Sequence, residues 1–115
     1  MVPGKYNIVC PQGSTFVKQI IYTIDDVPVN LAGFTARMQV RESYSSENFI
    51  LEITTENGGI TLGGALGTID MFISDTVTQA IRAKEYVYDL ELVSSGLQVS
   101  RLIEGKFLVT PEVTR

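Results

Sequence analysis

The side chains able to carry chemistry in this sequence are mostly carboxylates: Asp and Glu number 13, Lys and Arg 9, with no histidine and one cysteine. A nucleophile needs a partner base, and with no imidazole in the chain Cys10 has none of the usual kind. Its neighbours Ile8 and Val9 place it on a strand, as a buried and inert thiol. A single cysteine also excludes an intrachain disulfide. Zinc would find one thiolate and otherwise only carboxylates. Calcium would have to gather Asp25, Asp26, Asp70, Asp75 and Asp89, yet no Asp-x-Asp-x-Asp-Gly loop occurs, and these residues read as turn and cap formers. A carboxylate pair for glycoside hydrolysis would have to face itself across about 5–9.5 Å of cleft, and the chain has no Trp on which to stack a sugar. Gly58-Gly59 and Gly63-Gly64 lack the Gly-Lys-Ser/Thr ending of a phosphate loop and sit between strands. No catalytic residue, cofactor or metal site is expected, and the chain reads as a non-enzyme.

The elements that must position these side chains follow from composition and period. At 115 residues the sequence suits a single domain spanning 1–115, and 44% hydrophobic residues suffice for one packed core. The net charge of −4 and the scattered basic residues argue against nucleic acid, whose phosphates need clustered Lys and Arg. No apolar run approaches the roughly 18 residues that cross a membrane, and the first residues lack the apolar stretch of a signal peptide. The expectation is a chain made in a cytosol, with no membrane partner.

Along the chain, 6–10 reads as a first strand closed by the turn Pro11-Gln12-Gly13. Residues 15–23 form a second strand with Phe16, Ile20 and Tyr22 on one face, and Lys18 marks an edge. Asp25-Asp26-Val27-Pro28 is a turn. Residues 34–41 alternate without a break, Phe34, Ala36, Met38 and Val40 inward, so one face is buried and the other wet. The polar loop 42–48 is longer than a tight hairpin and is expected to cross between sheets or hang at the sandwich end. Then come a strand with Phe49, Leu51 and Ile53 inward, the Asn57-Gly58-Gly59 turn, a brief strand at 60–62, and 68–73 with Ile69, Met71 and Ile73 inward. Val77, Ala80 and Ile81 have helical spacing, with Ser74 or Asp75 as the cap. Residues 85–93 return to strand with Tyr86, Tyr88, Leu90 and Leu92 on one face, and 97–110 pairs back after Ser94-Ser95-Gly96, with a bulge or bend expected at Gly105. Asp89, Glu91, Arg101 and Glu104 should then form cross-strand ion pairs on an exposed face, which could alternatively dock another subunit. The fold class is all-β, a two-sheet antiparallel sandwich of immunoglobulin-like architecture with one short helical connection.

Several stretches in order carry a family likeness: Gln12-Gly13-Ser14-Thr15-Phe16, the run from Pro28 to Arg41, Tyr86-Val87-Tyr88-Asp89-Leu90-Glu91-Leu92, Arg101-Leu102-Ile103-Glu104-Gly105-Lys106, and Glu112-Val113-Thr114-Arg115. In these the chain resembles small virion structural proteins of tailed bacteriophages, and is similar to the N-terminal β-sandwich of phage baseplate upper proteins. The resemblance implies a virion structural protein: a tail, baseplate or fibre-attachment adaptor assembled in the host cytoplasm, working in many copies through contacts with other virion proteins. A capsid decoration protein and a module binding a host glycan or protein are the alternatives, Tyr44 being the one obvious aromatic for a glycan. The resemblance supplies no functional residue.

Overall fold

The computed structural model describes residues 4–114. In chain order its elements are β1 (Gly4–Lys5), β2 (Ile8–Pro11), β3 (Phe16–Ile21), β4 (Thr23–Ile24), β5 (Val27–Pro28), β6 (Thr35–Arg41), β7 (Leu51–Thr54), β8 (Ile60–Leu62), β9 (Thr68–Ile73), α1 (Asp75–Gln79), β10 (Glu85–Val93) and β11 (Val99–Thr110). The larger sheet has six strands, running β7, β6, β10, β11 and then β1, with β2 also on β11; the smaller is β3, β9 and β8, and β4 and β5 form a separate two-stranded ribbon. The chain is thus an all-β sandwich. Its ladders are antiparallel except at one edge, where β1 and β2 both run parallel to β11.

Alternation builds the core. Ala36, Met38 and Val40 on β6, Tyr86, Tyr88, Leu90 and Leu92 on β10, and Ile69, Met71 and Ile73 on β9 all point between the sheets and are buried. Phe107 stands at the centre, 6.2 Å from Phe16 and 6.4 Å from Tyr88 between ring centroids, in tilted and edge-on contacts that aromatic quadrupoles favour. Cys10 is fully buried in this core, where desolvation pushes its thiol up to about 11, the inert state expected of it.

Several details differ from the sequence reading, each for a local reason. The first strand is interrupted at Tyr6 and Asn7, because Tyr6 runs against Gly105 and Asn7 Oδ1 accepts from the Lys106 amide at 3.0 Å. Of the two paths open to the 42–48 loop, the structure takes the second: β6 and β7 are adjacent and antiparallel, so it is a hairpin loop at the end of the larger sheet, lengthened to residue 50. Phe49 lies in that loop at 47% exposure, leaving Leu51 and Ile53 as the inward residues of β7. Phe34 is only partly buried, just before β6 begins. In α1 the inward residue is Thr78, fully buried and donating to Ser14 O at 2.8 Å, while Val77 is 41% exposed. A helix this short presents one side only, and the hydroxyl's partner fixes which. Ser74 caps it as expected. Leu97 belongs to the turn rather than to β11, at φ +64°.

The bulge is also displaced. Leu90 pairs with Ile103 and Glu91 with Arg101, so the extra residue on β11 is Leu102, not Gly105. Gly105 is there for close approach instead, since a β-carbon at that position would collide with the Tyr6 carbonyl.

Candidate functional site

The outer face of the larger sheet carries a polar concavity of about 480 Å³, lined by the outward residues Arg37, Gln39, Arg41, Glu52, Val87, Asp89, Glu91, Arg101 and Glu104, by Tyr44 of the 42–50 loop and by the otherwise inward Tyr88. Period two places most of them: Arg37, Gln39 and Arg41 alternate outward on β6, and Val87, Asp89 and Glu91 on β10. Arg101 and Glu104 are three apart and would face opposite sides of a regular strand. The extra residue at Leu102 returns both to the outer face, opposite Glu91 and Asp89 respectively. The bulge therefore builds the site, and it lies three residues from Gly105, where the strand pattern leads one to expect it.

Of the cross-strand pairs expected among Asp89, Glu91, Arg101 and Glu104, one forms, Arg101 with Asp89; Arg101 also meets Glu104 along its own strand, while Glu91 pairs with Arg37 on β6 and Glu104 with Lys5 on β1. Arg37 Nε donates to Glu91 Oε1 at 2.8 Å. Arg101 reaches Asp89 Oδ2 at 3.3 Å and Glu104 Oε1 at 3.4 Å, and Lys5 from β1 pairs with Glu104. At the other side Gln39 Nε2 donates to Glu52 at 2.7 Å, while Arg41 donates to Gln39 Oε1 at 2.6 Å and to the Ser46 carbonyl at 2.9 Å. Arg41 thus ties the 42–50 loop to the sheet. Ser46 Oγ holds the Ser43 amide at 3.1 Å, tightening the turn that carries Tyr44, 74% exposed, at the rim.

Asp89 and Glu104 stand directly opposite each other, yet their electrostatics diverge. Burial, then the charges of Glu91 and Glu104, raise the Asp89 carboxyl above its ordinary value despite Arg101. The hydrogen bond from Lys5, aided by Arg101, holds Glu104 below the usual carboxylate range. Two acids pushed apart can mark an acid–base pair. Here Arg101 grips both, so each carboxylate is already engaged by a fixed cation.

The aspartates weighed for calcium are spread over the molecule. Asp25 and Asp26 form the tip of the β4–β5 ribbon, Asp70 accepts from Gln19 at 2.8 Å, Asp75 opens α1, and Asp89 lies on the polar floor. Among the described residues no group of three or more His, Cys, Asp or Glu is placed to hold a metal ion. No helix of the described residues is long and apolar enough to cross a membrane. A second cavity of about 300 Å³, lined by Tyr6, Lys18, Gln19, Ile20 and Ile103, opens beside β3.

No family model matches the chain, and no curated protein does. Among solved structures it is similar to CopC from Methylosinus trichosporium OB3b, at 12% identity and a TM-score of 0.50, over 97% of this chain and 89% of that one. At that identity the likeness establishes the β-sandwich alone. The likeness is to CopC, so the virion structural role and the virion location expected from the family resemblance are corrected: neither is supported.

Proposed function

We propose that this chain is a non-catalytic binding domain whose partner is a protein, docked on the polar outer face of the larger sheet. The observation that carries the proposal is the bulge at Leu102, which sets Arg101 and Glu104 side by side on that face and completes a shaped, charged concavity. Donors and acceptors of both signs are held in place by one another, which lowers the ordering cost of binding. Three arginines there sit among four carboxylates, Glu52, Asp89, Glu91 and Glu104, so the face offers no net positive field to a polyanion. A mixed-charge protein surface is its natural complement, with Tyr44 as a rim anchor of the kind that dominates interfaces.

A photo-crosslinking residue at position 44, compared with one at Val113, which is 91% exposed and outside the face, tests this in the cells that express the protein. One protein partner should be captured at 44 and not at 113. Arg101→Glu should abolish that capture while circular dichroism stays unchanged. Equal capture at both positions, or a substrate turnover lost on Asp89→Asn, would overturn the proposal.

A further inference from the structure

The smaller sheet has an open edge. β3 pairs with β9 on one side, and among the described residues no strand lies on its other side. Which backbone groups point into that gap follows from the ladder. The Tyr22 amide donates to Gly67 O at 2.8 Å, one step beyond the Ile21–Thr68 pair. Even-numbered residues of β3 therefore bond to β9, and the amides and carbonyls of Val17, Gln19 and Ile21 face outward. β9 agrees: its Thr68 carbonyl and Phe72 amide bond to the β8 side, at 2.9 and 2.8 Å, leaving its odd residues for β3.

We infer that this edge pairs with β3 of a second copy of the same chain, antiparallel about a two-fold axis through Gln19. In that register Gln19 opposes its own copy and Val17 opposes Ile21, so all six outward backbone groups find partners. The side chains are self-complementary too. Val17 and Ile21, exposed at 70% and 56%, form an apolar row continued by Phe72, which lies beside Val17 at 48% exposure. The other face sets Lys18 against Ile20, so no charge opposes its like. Sliding the axis to residue 18 would lose a pair and place Lys18 directly against Lys18, an unfavourable contact.

Edge strands are usually blunted by proline, a bulge or an inward charge. β3 has neither proline nor bulge, and its one inward charge, Lys18, is drawn over the Tyr6 ring at 5.0 Å. An interface of one short strand pair lies below the ~1,200 Å² of standard complexes. The dimer is consequently weak and forms at high concentration.

Charge patterning reads the register directly. Sedimentation should show the wild-type mass rising from one chain toward two as concentration increases about a hundredfold. Val17→Lys/Ile21→Lys and Val17→Glu/Ile21→Glu should each stay monomeric, because like charges then meet across the axis. Mixed together they should form a heterodimer, and Val17→Lys/Ile21→Glu should regain the homodimer, both weakened by salt. Independently, Gln19→Cys should oxidise to a covalent dimer at least tenfold faster than Gln98→Cys, an exposed position off the edge. Monomer at every concentration, equal oxidation at both cysteines, or trapping of a different protein at position 19 would overturn the inference.

Discussion

Replacing Gly105 by alanine tests the corner that connects the first strands to the polar face. Gly105 lies within β11 opposite Tyr88, where alanine should be the better residue by about 0.5–1 kcal/mol on backbone entropy. The structure reverses that sign. A β-carbon at 105 would collide with the Tyr6 carbonyl oxygen and lie 2.8 Å from its carbon and 3.0 Å from Asn7 Oδ1. Relief requires moving the 6–7 corner, which holds three hydrogen bonds: Tyr6 N to Glu104 O at 3.0 Å, Lys106 N to Asn7 Oδ1 at 3.0 Å, and Tyr88 Oη to Tyr6 O at 2.5 Å. At about 0.5–1.5 kcal/mol each, their loss costs about 2–4 kcal/mol. Net of the entropic gain, Gly105→Ala should destabilise by about 1–3 kcal/mol. Urea unfolding followed by tyrosine fluorescence should show a lower midpoint with an unchanged slope. Asn7→Ala, which removes one of the three bonds without a clash, should cost about 1 kcal/mol. A midpoint for Gly105→Ala equal to or above wild type would refute the reasoning.

Three further outcomes follow from the geometry. Leu90 is fully buried between Met38 and Ile103 on the central strand, with little room to collapse, so Leu90→Ala should cost about 3–5 kcal/mol in the same assay. Leu97 sits at φ +64° and is 80% exposed, so it trades backbone strain for no packing, and Leu97→Gly should raise stability by about 0.5–1 kcal/mol. Glu104, held below the ordinary 4.5, contributes stability that is present above the unfolded value and is lost as pH falls through the depressed folded one; Glu104→Gln should flatten the stability curve below about pH 4.5.

What the sequence disclosed was what period two encodes. The unbroken alternation of 34–41 and 85–93 located both central strands of the larger sheet, their buried faces and the exposed charges opposite. It could not disclose pairings set by distant chain. The break at Tyr6 depends on Gly105, and the inward turn of Thr78 depends on Ser14, 64 residues away. Nor could it locate the bulge, because Leu102 is apolar and extends an apolar pair with Ile103. The spacing of Arg101 and Glu104 was the available signal: two charges three apart on a strand must either face opposite ways or flank an extra residue. The closed ends of the charge network were equally hidden, since Lys5 reaches Glu104 from the far end of the chain.

The proposed docking on the polar face makes a further prediction at Asp89. Like charges directly opposed across two strands are unfavourable by about 0.2–1 kcal/mol, and Asp89 opposes Glu104 in the interior of the larger sheet. The bulge that creates this opposition also forfeits ladder hydrogen bonds. The extra residue, Leu102, is itself buried in the core, but its burial does not require two carboxylates opposite each other, and local rules broken together at one spot are what the proposed docking face would demand. Asp89→Asn separates the two demands. The raised Asp89 carboxyl penalises the folded state once ionised, so its effect is destabilising above its folded value and vanishes as pH falls below the unfolded one. The variant should therefore be more stable than wild type at pH 7, by about 0.2–1 kcal/mol, and should lose that margin by about pH 3. The same variant should weaken capture of a partner at position 44, because Arg101 loses one of the acids that aim it. A variant that is less stable at pH 7, and that captures the partner as well as wild type, would return Asp89 to an ordinary structural ion pair.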